Sequence, residues 1–345
     1  MINNDEKMKL QISENTIITS WQWHATLFSI VQDNEYAFQW ILSNYIQLRL
    51  VINKEKKLYF LDFLPGDSCL RRCPYLMLQP VLDIQIKNNY KNILDFMIQN
   101  LKMGLYIYGI FDIGKILNKT KTMPHEMFVY GYNLADEYFY VRDFIFNRGR
   151  YESKTIPFNN MINAYNNIVD EDFMFNSLIS NYNRGLFLLG KNTHNDIYKI
   201  DISWIKFLIK EYLDSENTHL HMRVDWQKND QNVYMYGISI YDGLCLFLEE
   251  HEKNKVYDVR PLHILFDHKV LMHERIKYLS KRNYISCKLE KLSSYIVKKT
   301  LCLRNLYIKL ALKEQWSDIK NIKSSILEIK SVEIDLYLKI LLELE

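Results

Sequence analysis

A chain of 345 residues, 48% apolar and 25% charged, carries enough apolar surface to fold, which excludes wholesale disorder, and has the length of two domains rather than one. Ten glycines and six prolines are too few for collagen-like or linker-rich architecture, and no GxGxxG or GxxxxGK motif builds a glycine phosphate cradle. The net charge of +3 hides an asymmetry, because residues 251–345 hold 19 Lys/Arg against 12 Asp/Glu.

Residues 1–15 are polar, without the apolar stretch of a secretory signal, and no run reaches the ~18 apolar residues of a membrane span. Cys69, Cys73, Cys245, Cys287 and Cys302 are an odd, scattered set. The expectation is a reduced, cytoplasmic protein with no membrane association. Cys69 and Cys73 lack CxxC spacing, and His263 and Asp267 lack a third partner at matching spacing, so no metal site is expected.

Along the chain, apolar residues at helical spacing predict helices over 21–31 (Trp23, Leu27, Ile30), with Thr19 and Ser20 as cap candidates, and over 35–47. Residues 57–64 read as a strand closed by the turn Pro65-Gly66, and 90–103 as an amphipathic helix. Strand-like runs follow at 105–112, 126–132 and 137–143. After Pro157 the pattern turns helical, at 158–169, 202–214, 239–251, 260–280, 287–313 and 325–344, with an extended piece at 186–200. Mixed structure followed by mostly helical structure predicts an α+β protein in two parts, residues 1–155 and 156–345.

The most specific stretch is HEMFVYGYNLADEYFYVRDF, beginning at His125. Two alternating apolar runs flank Asn133-Leu-Ala-Asp136, the pattern of a β-hairpin. A turn centred on Leu134 would set His125 directly opposite Asp143, close enough for a carboxylate to orient an imidazole and support its protonated form. A one-residue slip would send the two to opposite faces.

This hairpin resembles the His–Asp hairpin of papain-like folds, and most of all proteins of antibiotic biosynthesis, the butirosin-biosynthesis acyltransferase family and the closthioamide amide-forming enzymes. Asn133 stands where those proteins have the Asp of Gly-Tyr-Asp. Weaker similarity extends over IPFNNMINAY (156–165), YGISIYDGL (236–244) and DVRPLHILFDHKVLMHERIKYL (258–279). The resemblance implies a papain-like N-terminal domain followed by a mainly helical C-terminal domain. It also implies acyl transfer or amide formation on a thioester carried by the phosphopantetheine arm of an acyl or peptidyl carrier protein, or of a synthetase module, in secondary-metabolite or nonribosomal peptide biosynthesis. No other cofactor is expected.

Such families attack with a Cys at the head of a long N-terminal helix, where the helix terminus favours thiolate. Aligning Leu27 with the family's Leu places Gln22 at that position, and a carboxamide forms no acyl intermediate. Three readings follow: a pseudoenzyme scaffold that keeps His125 and Asp143 but binds without reacting, an engineered replacement at position 22, or Ser20 as nucleophile, although a Ser before a helix is more often its cap.

Within 275–313, Arg275, Lys277, Lys281, Arg282, Lys288, Lys291, Lys298, Lys299, Arg304, Lys309 and Lys313 face the lone acid Glu290. That imbalance predicts either a solvated face or a docking surface for an acidic partner, such as a carrier protein, led by Arg275, Lys277, Lys281, Arg282, Lys288 and Lys291. Nucleic acid is the weaker alternative, because no DNA- or RNA-binding motif accompanies the charge.

Overall fold

The computed structural model describes residues 6–64, 66–146, 149–168, 185–192, 198–222, 231–314 and 319–344. The chain is α+β and divides into two units, Met1–Phe38 with Asp67–Tyr198, and Gln39–Gly66 with Lys199–Glu345. This differs from a single division near 155 in two places. The segment 39–66 belongs with the C-terminal half, and the chain beyond 155 stays with the first unit as far as Tyr198.

The first unit is built on an antiparallel sheet. In spatial order it runs β4 (Leu76–Leu82), β9 (Gly185–Lys191), β5 (Tyr106–Asp112), β6 (Pro124–Asn133), β7 (Tyr138–Asp143) and β8 (Glu152–Pro157), with β1 (Lys7–Lys9) also on β6. The expected extended piece at 186–200 is β9, seven residues inserted between β4 and β5; residues 193–197 of it lie outside the described residues. Strands β4 and β8 escape sequence reading because both are sheet edges. Proline is tolerated at an edge, hence Pro80 in β4, and β8 is polar along most of its length.

One face of the sheet is covered by α4 (Asp83–Asn89), α5 (Ile93–Lys102) and α7 (Phe158–Asn166). Asn92 caps α5 by accepting the Asp95 amide at 2.9 Å, and Ile93, Phe96, Met97 and Leu101 form its buried stripe. They meet Phe111, Met127, Val129, Val141 and Met161 in one apolar core. Helix α1 (Gln22–Val31) is buried at every residue rather than on one face. It packs on β6 and on α3 (Cys69–Arg72).

The second unit combines a small antiparallel sheet, β10–β2–β3 (Asn232–Tyr236, Leu48–Asn53, Leu58–Phe63), with α8 (Ile202–Leu213), α10 (Ile240–Asn254), α11 (Arg260–Lys281), α12 (Lys288–Leu312) and α13 (Ile319–Glu343). The last three pack through seams at alternating three- and four-residue spacing: Leu262, Leu265, Lys269, Met272, Ile276, Leu279 on α11; Leu289, Ser293, Ile296, Thr300, Leu303, Tyr307 on α12; Ile322, Ile326, Ile329, Glu333, Leu336, Ile340 on α13. Among the described residues, no helix is long and apolar enough to cross a membrane.

Candidate functional site

The hairpin of β6 and β7 forms as the alternation predicts, but not in the predicted register. Its loop is 134–137, closed by Asn133, which accepts the Asp136 amide and donates to the Asp136 carboxylate at 2.8 Å. At the turn Asn133 faces Tyr138. Had that pairing run on unbroken, His125 and Asp143 would point to opposite faces of the ribbon. A β-bulge between Val129 and Gly131 takes out one residue, so that Phe128 faces Arg142. Continued one step, this register puts Asp143 across from Met127, diagonal to His125 and on the same face. The bulge coincides with a close approach of β1, where a Cβ on Gly131 would lie 2.3 Å from the Met8 carbonyl oxygen. Only glycine fits there without displacing β1.

His125 Nε2 and Asp143 Oδ1 are 2.9 Å apart. The carboxylate is fully buried, while the imidazole keeps 32% of its side-chain surface exposed. Asp143 Oδ1 also accepts the amides of Phe144 and Ile145, which fixes the carboxylate at the end of β7. Burial opposes protonation of His125, but the hydrogen bond and charge of Asp143, with Glu126 adding to them, prevail and hold the imidazole above the ordinary histidine value. The arrangement presents a reachable ring whose Nε2 is committed to a carboxylate and whose Nδ1 is the nitrogen left for chemistry.

This dyad has a pH signature. Because the folded-state value is raised, its contribution to stability is complete below about pH 6.5, the unfolded value, and is lost as pH rises through the folded one. In an NMR titration, Asp143→Asn is expected to lower the His125 midpoint below that of the wild type. An unchanged midpoint would mean that the carboxylate does not govern the ring.

Gln22 opens α1 and is only 3% exposed. Its Nε2 donates to the Arg142 carbonyl at 3.0 Å, so the helix head meets β7 at the peptide joining Arg142 to Asp143, and its Oε1 is buried without a hydrogen-bond partner. Alternation along β7 turns the Arg142 side chain toward α1, where it bonds Ser29 Oγ, and sends Asp143 the other way with Val141. The residue at the N-cap is Trp21 rather than Ser20 or Thr19. It adopts φ 55°, ψ 144° and makes no side-chain cap, a conformation costly for a residue with a Cβ. Ser20 therefore lies outside the helix and is buried, 3% exposed.

The basic segment needs correction at Arg275. It sits next to the α11 seam at 0% exposure, with Nε and Nη2 donating to the carbonyls of Leu42 and Tyr45. A residue committed to internal carbonyls has no docking role. Lys277 is exposed and paired with Glu274 at 2.9 Å, and Lys281, Arg282, Lys288 and Lys291 are exposed at and beyond the α11–α12 connection.

The cysteines add no second nucleophile to the first unit, since Cys69 and Cys73 are buried and burial pushes the Cys73 thiol up to about 12. Among the described residues, no three His, Cys, Asp or Glu side chains converge as metal ligands. His268, on the same helix as His263, is fully buried; its Nε2 bonds the Ile46 carbonyl at 2.7 Å. Beside it lies a pair missed in the sequence, Lys269 and Glu333, 2.6 Å apart and each 1% exposed at the side chain. The signal was available, since both stand at core positions of otherwise apolar helical seams.

No protein-family model matches this chain, and no curated protein is similar to it in sequence.

Proposed function

We propose that this protein is a papain-like member of an antibiotic-type biosynthetic assembly that handles an acyl group carried as a thioester on a carrier protein, directing it toward an amine or water. The observation that carries this reading is the 2.9 Å contact between a partly exposed imidazole and a fully buried carboxylate, His125 and Asp143. Asp143 orients the ring, and His125 serves as general base. With Gln22 at the helix head, no acyl-enzyme forms, and covalent catalysis in the chain as it stands is absent.

A second reading, a non-catalytic scaffold that binds acidic carrier or synthetase domains, is favoured by Gln22 itself. Its carboxamide is closed on the Arg142 carbonyl, and alternation turns Arg142 toward α1 and Asp143 away from it.

Gln22→Cys separates the two. Under the first reading a thiolate at position 22 attacks the thioester carbonyl, the oxyanion collapses, and the departing carrier thiolate takes a proton from protonated His125. That step requires the imidazole to reach the helix head around the end of β7, since alternation turns Asp143 away from α1. An amine then attacks the acyl-cysteine and gives its proton back to His125, restoring the thiolate. Under the first reading, acylation of Gln22→Cys by an acyl-carrier thioester is detectable by mass spectrometry, and His125→Ala in that background lowers its rate at least 100-fold. Failure of Gln22→Cys to acylate, with the fold intact, leaves the scaffold reading.

A further inference from the structure

The charge of the C-terminal segment is not spread around its helices. Positions 289, 293, 296, 300, 303, 307 and 310 of α12 are buried, and the opposite side carries Lys288, Lys291, Tyr295, Lys298, Cys302 and Lys309, all exposed. At 100° per residue these six fall within an arc of about 80°, and from Lys288 to Lys309 they extend about 32 Å. No acidic residue of α12 lies on that line. At its N-terminal end the stripe continues into the exposed Lys281 and Arg282. Other cations of the segment are engaged within the fold. Arg275 is buried, Lys299 pairs with Glu328 at 2.9 Å, and Arg304 Nη1 lies 2.9 Å from His263 Nδ1. An ordinary solvated helix face mixes signs at three- and four-residue spacing, and this one does not.

We propose that the lysine stripe of α12 is the docking surface for an acidic helical protein and, resting on the function proposed above, for the carrier domain that delivers the thioester. Three features favour a protein over a nucleic acid. The cations are lysines, point charges without the bidentate fork that reads phosphates and bases. The exposed aromatic on the line, Tyr295, is tied through its hydroxyl to Glu328 of α13 at 2.6 Å, so the ring is held within the fold and not free to swing out as a stacking platform for bases. Lys288, Lys291 and Lys298 recur at the spacing at which a helix laid alongside presents its own acids, one or two turns apart. Complementary charge of this kind accelerates encounter and weakens with salt.

The test uses the full chain and a holo acyl carrier protein of a bacterial fatty-acid synthase, an acidic helical domain, as probe, with affinity read by fluorescence anisotropy at 50 and 500 mM NaCl. The wild type is expected to bind at low salt and to lose at least tenfold in affinity at high salt. Lys288→Glu/Lys291→Glu/Lys298→Glu, checked for fold by circular dichroism, is expected to lose at least tenfold at low salt. The corresponding triple Gln variant, which removes charge without reversing it, should fall between. Absence of carrier binding, binding that the triple Glu variant retains, or tighter binding of a single-stranded oligonucleotide that the variant abolishes would each overturn the proposal. Its fate separates from that of the catalytic reading. Acylation of Gln22→Cys as fast from a coenzyme A thioester as from the carrier, with no effect of the triple Glu change, removes the docking surface and leaves the chemistry. Salt-sensitive carrier binding without acylation does the reverse.

Discussion

Glu333→Ala should cost the second unit about 3–5 kcal/mol, the typical price of leaving one member of a buried ion pair alone. Glu333 Oε1 accepts from Lys269 Nζ at 2.6 Å, and Oε2 accepts from the hydroxyls of Tyr241 at 2.7 Å and Tyr212 at 3.2 Å. Lys269 also donates to His268 Nδ1 at 2.9 Å, and that imidazole is held neutral, its pKa depressed by burial and by the neighbouring lysine. Removing the carboxylate thus strands an ammonium and two phenols together. Burial already lowers the Lys269 pKa against the opposing pull of Glu333, and the variant loses that pull. Between the depressed folded value and the ordinary one near 10.4, the unfolded chain holds more protons, so stability rises with pH there. The deficit of Glu333→Ala should therefore narrow from pH 7 toward pH 9–10 in urea titrations. Lys269→Met/Glu333→Leu, which removes both charges and keeps the volume, should return close to wild type. A loss below 1 kcal/mol, or one indifferent to pH, would show the pair to be energetically idle.

That pair also marks how far the sequence was legible. The seams of α11 and α13 announce the helices and their buried faces through period alone, and strict reading of the period would have placed Lys269 and Glu333 inside. They were passed over because charged residues are seldom buried and because their partner lies 64 residues away. Arg275 failed for a related reason. Composition cannot separate a lysine-rich surface from a cation tied to main-chain carbonyls, and only the angular position on α11 does so. The hairpin was legible because alternation and a turn bracketed by Asn133 and Asp136 are local signals. Its register was not, since the shift at Tyr130 depends on β1 crossing Gly131, a contact between residues more than 120 positions apart. His125 and Asp143 meet because the turn and the bulge both displace the pairing from the simplest one, and together they preserve its parity. The discontinuous units escaped for the same reason as the edge strands. Segment 39–66 carries no composition break, and its membership is decided by which sheet it pairs with.

Arg142→Ala should be the most damaging single change in the first unit outside its apolar core, at about 3 kcal/mol or more. Arg142 is 3% exposed. It donates through Nη1 to the Ser13 carbonyl at 2.6 Å and Ser29 Oγ at 3.1 Å, and through Nη2 to the Glu14 carbonyl at 2.6 Å, with its plane 4.5 Å from the Tyr151 ring centroid. Its own carbonyl receives Gln22. One residue of β7 therefore grips α1 at two points, Gln22 and Ser29, about 10 Å apart along the helix. It also ties down the segment that leads into that helix. Truncation leaves two carbonyls without their charged donor and removes the arginine stem from Tyr151, whereas the Gln22 bond, made to main chain, survives. Arg142→Lys keeps the charge but not the fork, and should recover roughly half of the loss. Native-state hydrogen exchange should localise the effect. In Arg142→Ala the amides around Ser13 and the second half of α1 exchange faster, while the head of the helix is less affected; Gln22→Ala gives the opposite pattern. If both variants loosen the same amides to the same extent, the two grips are one, and α1 is held to β7 by packing instead.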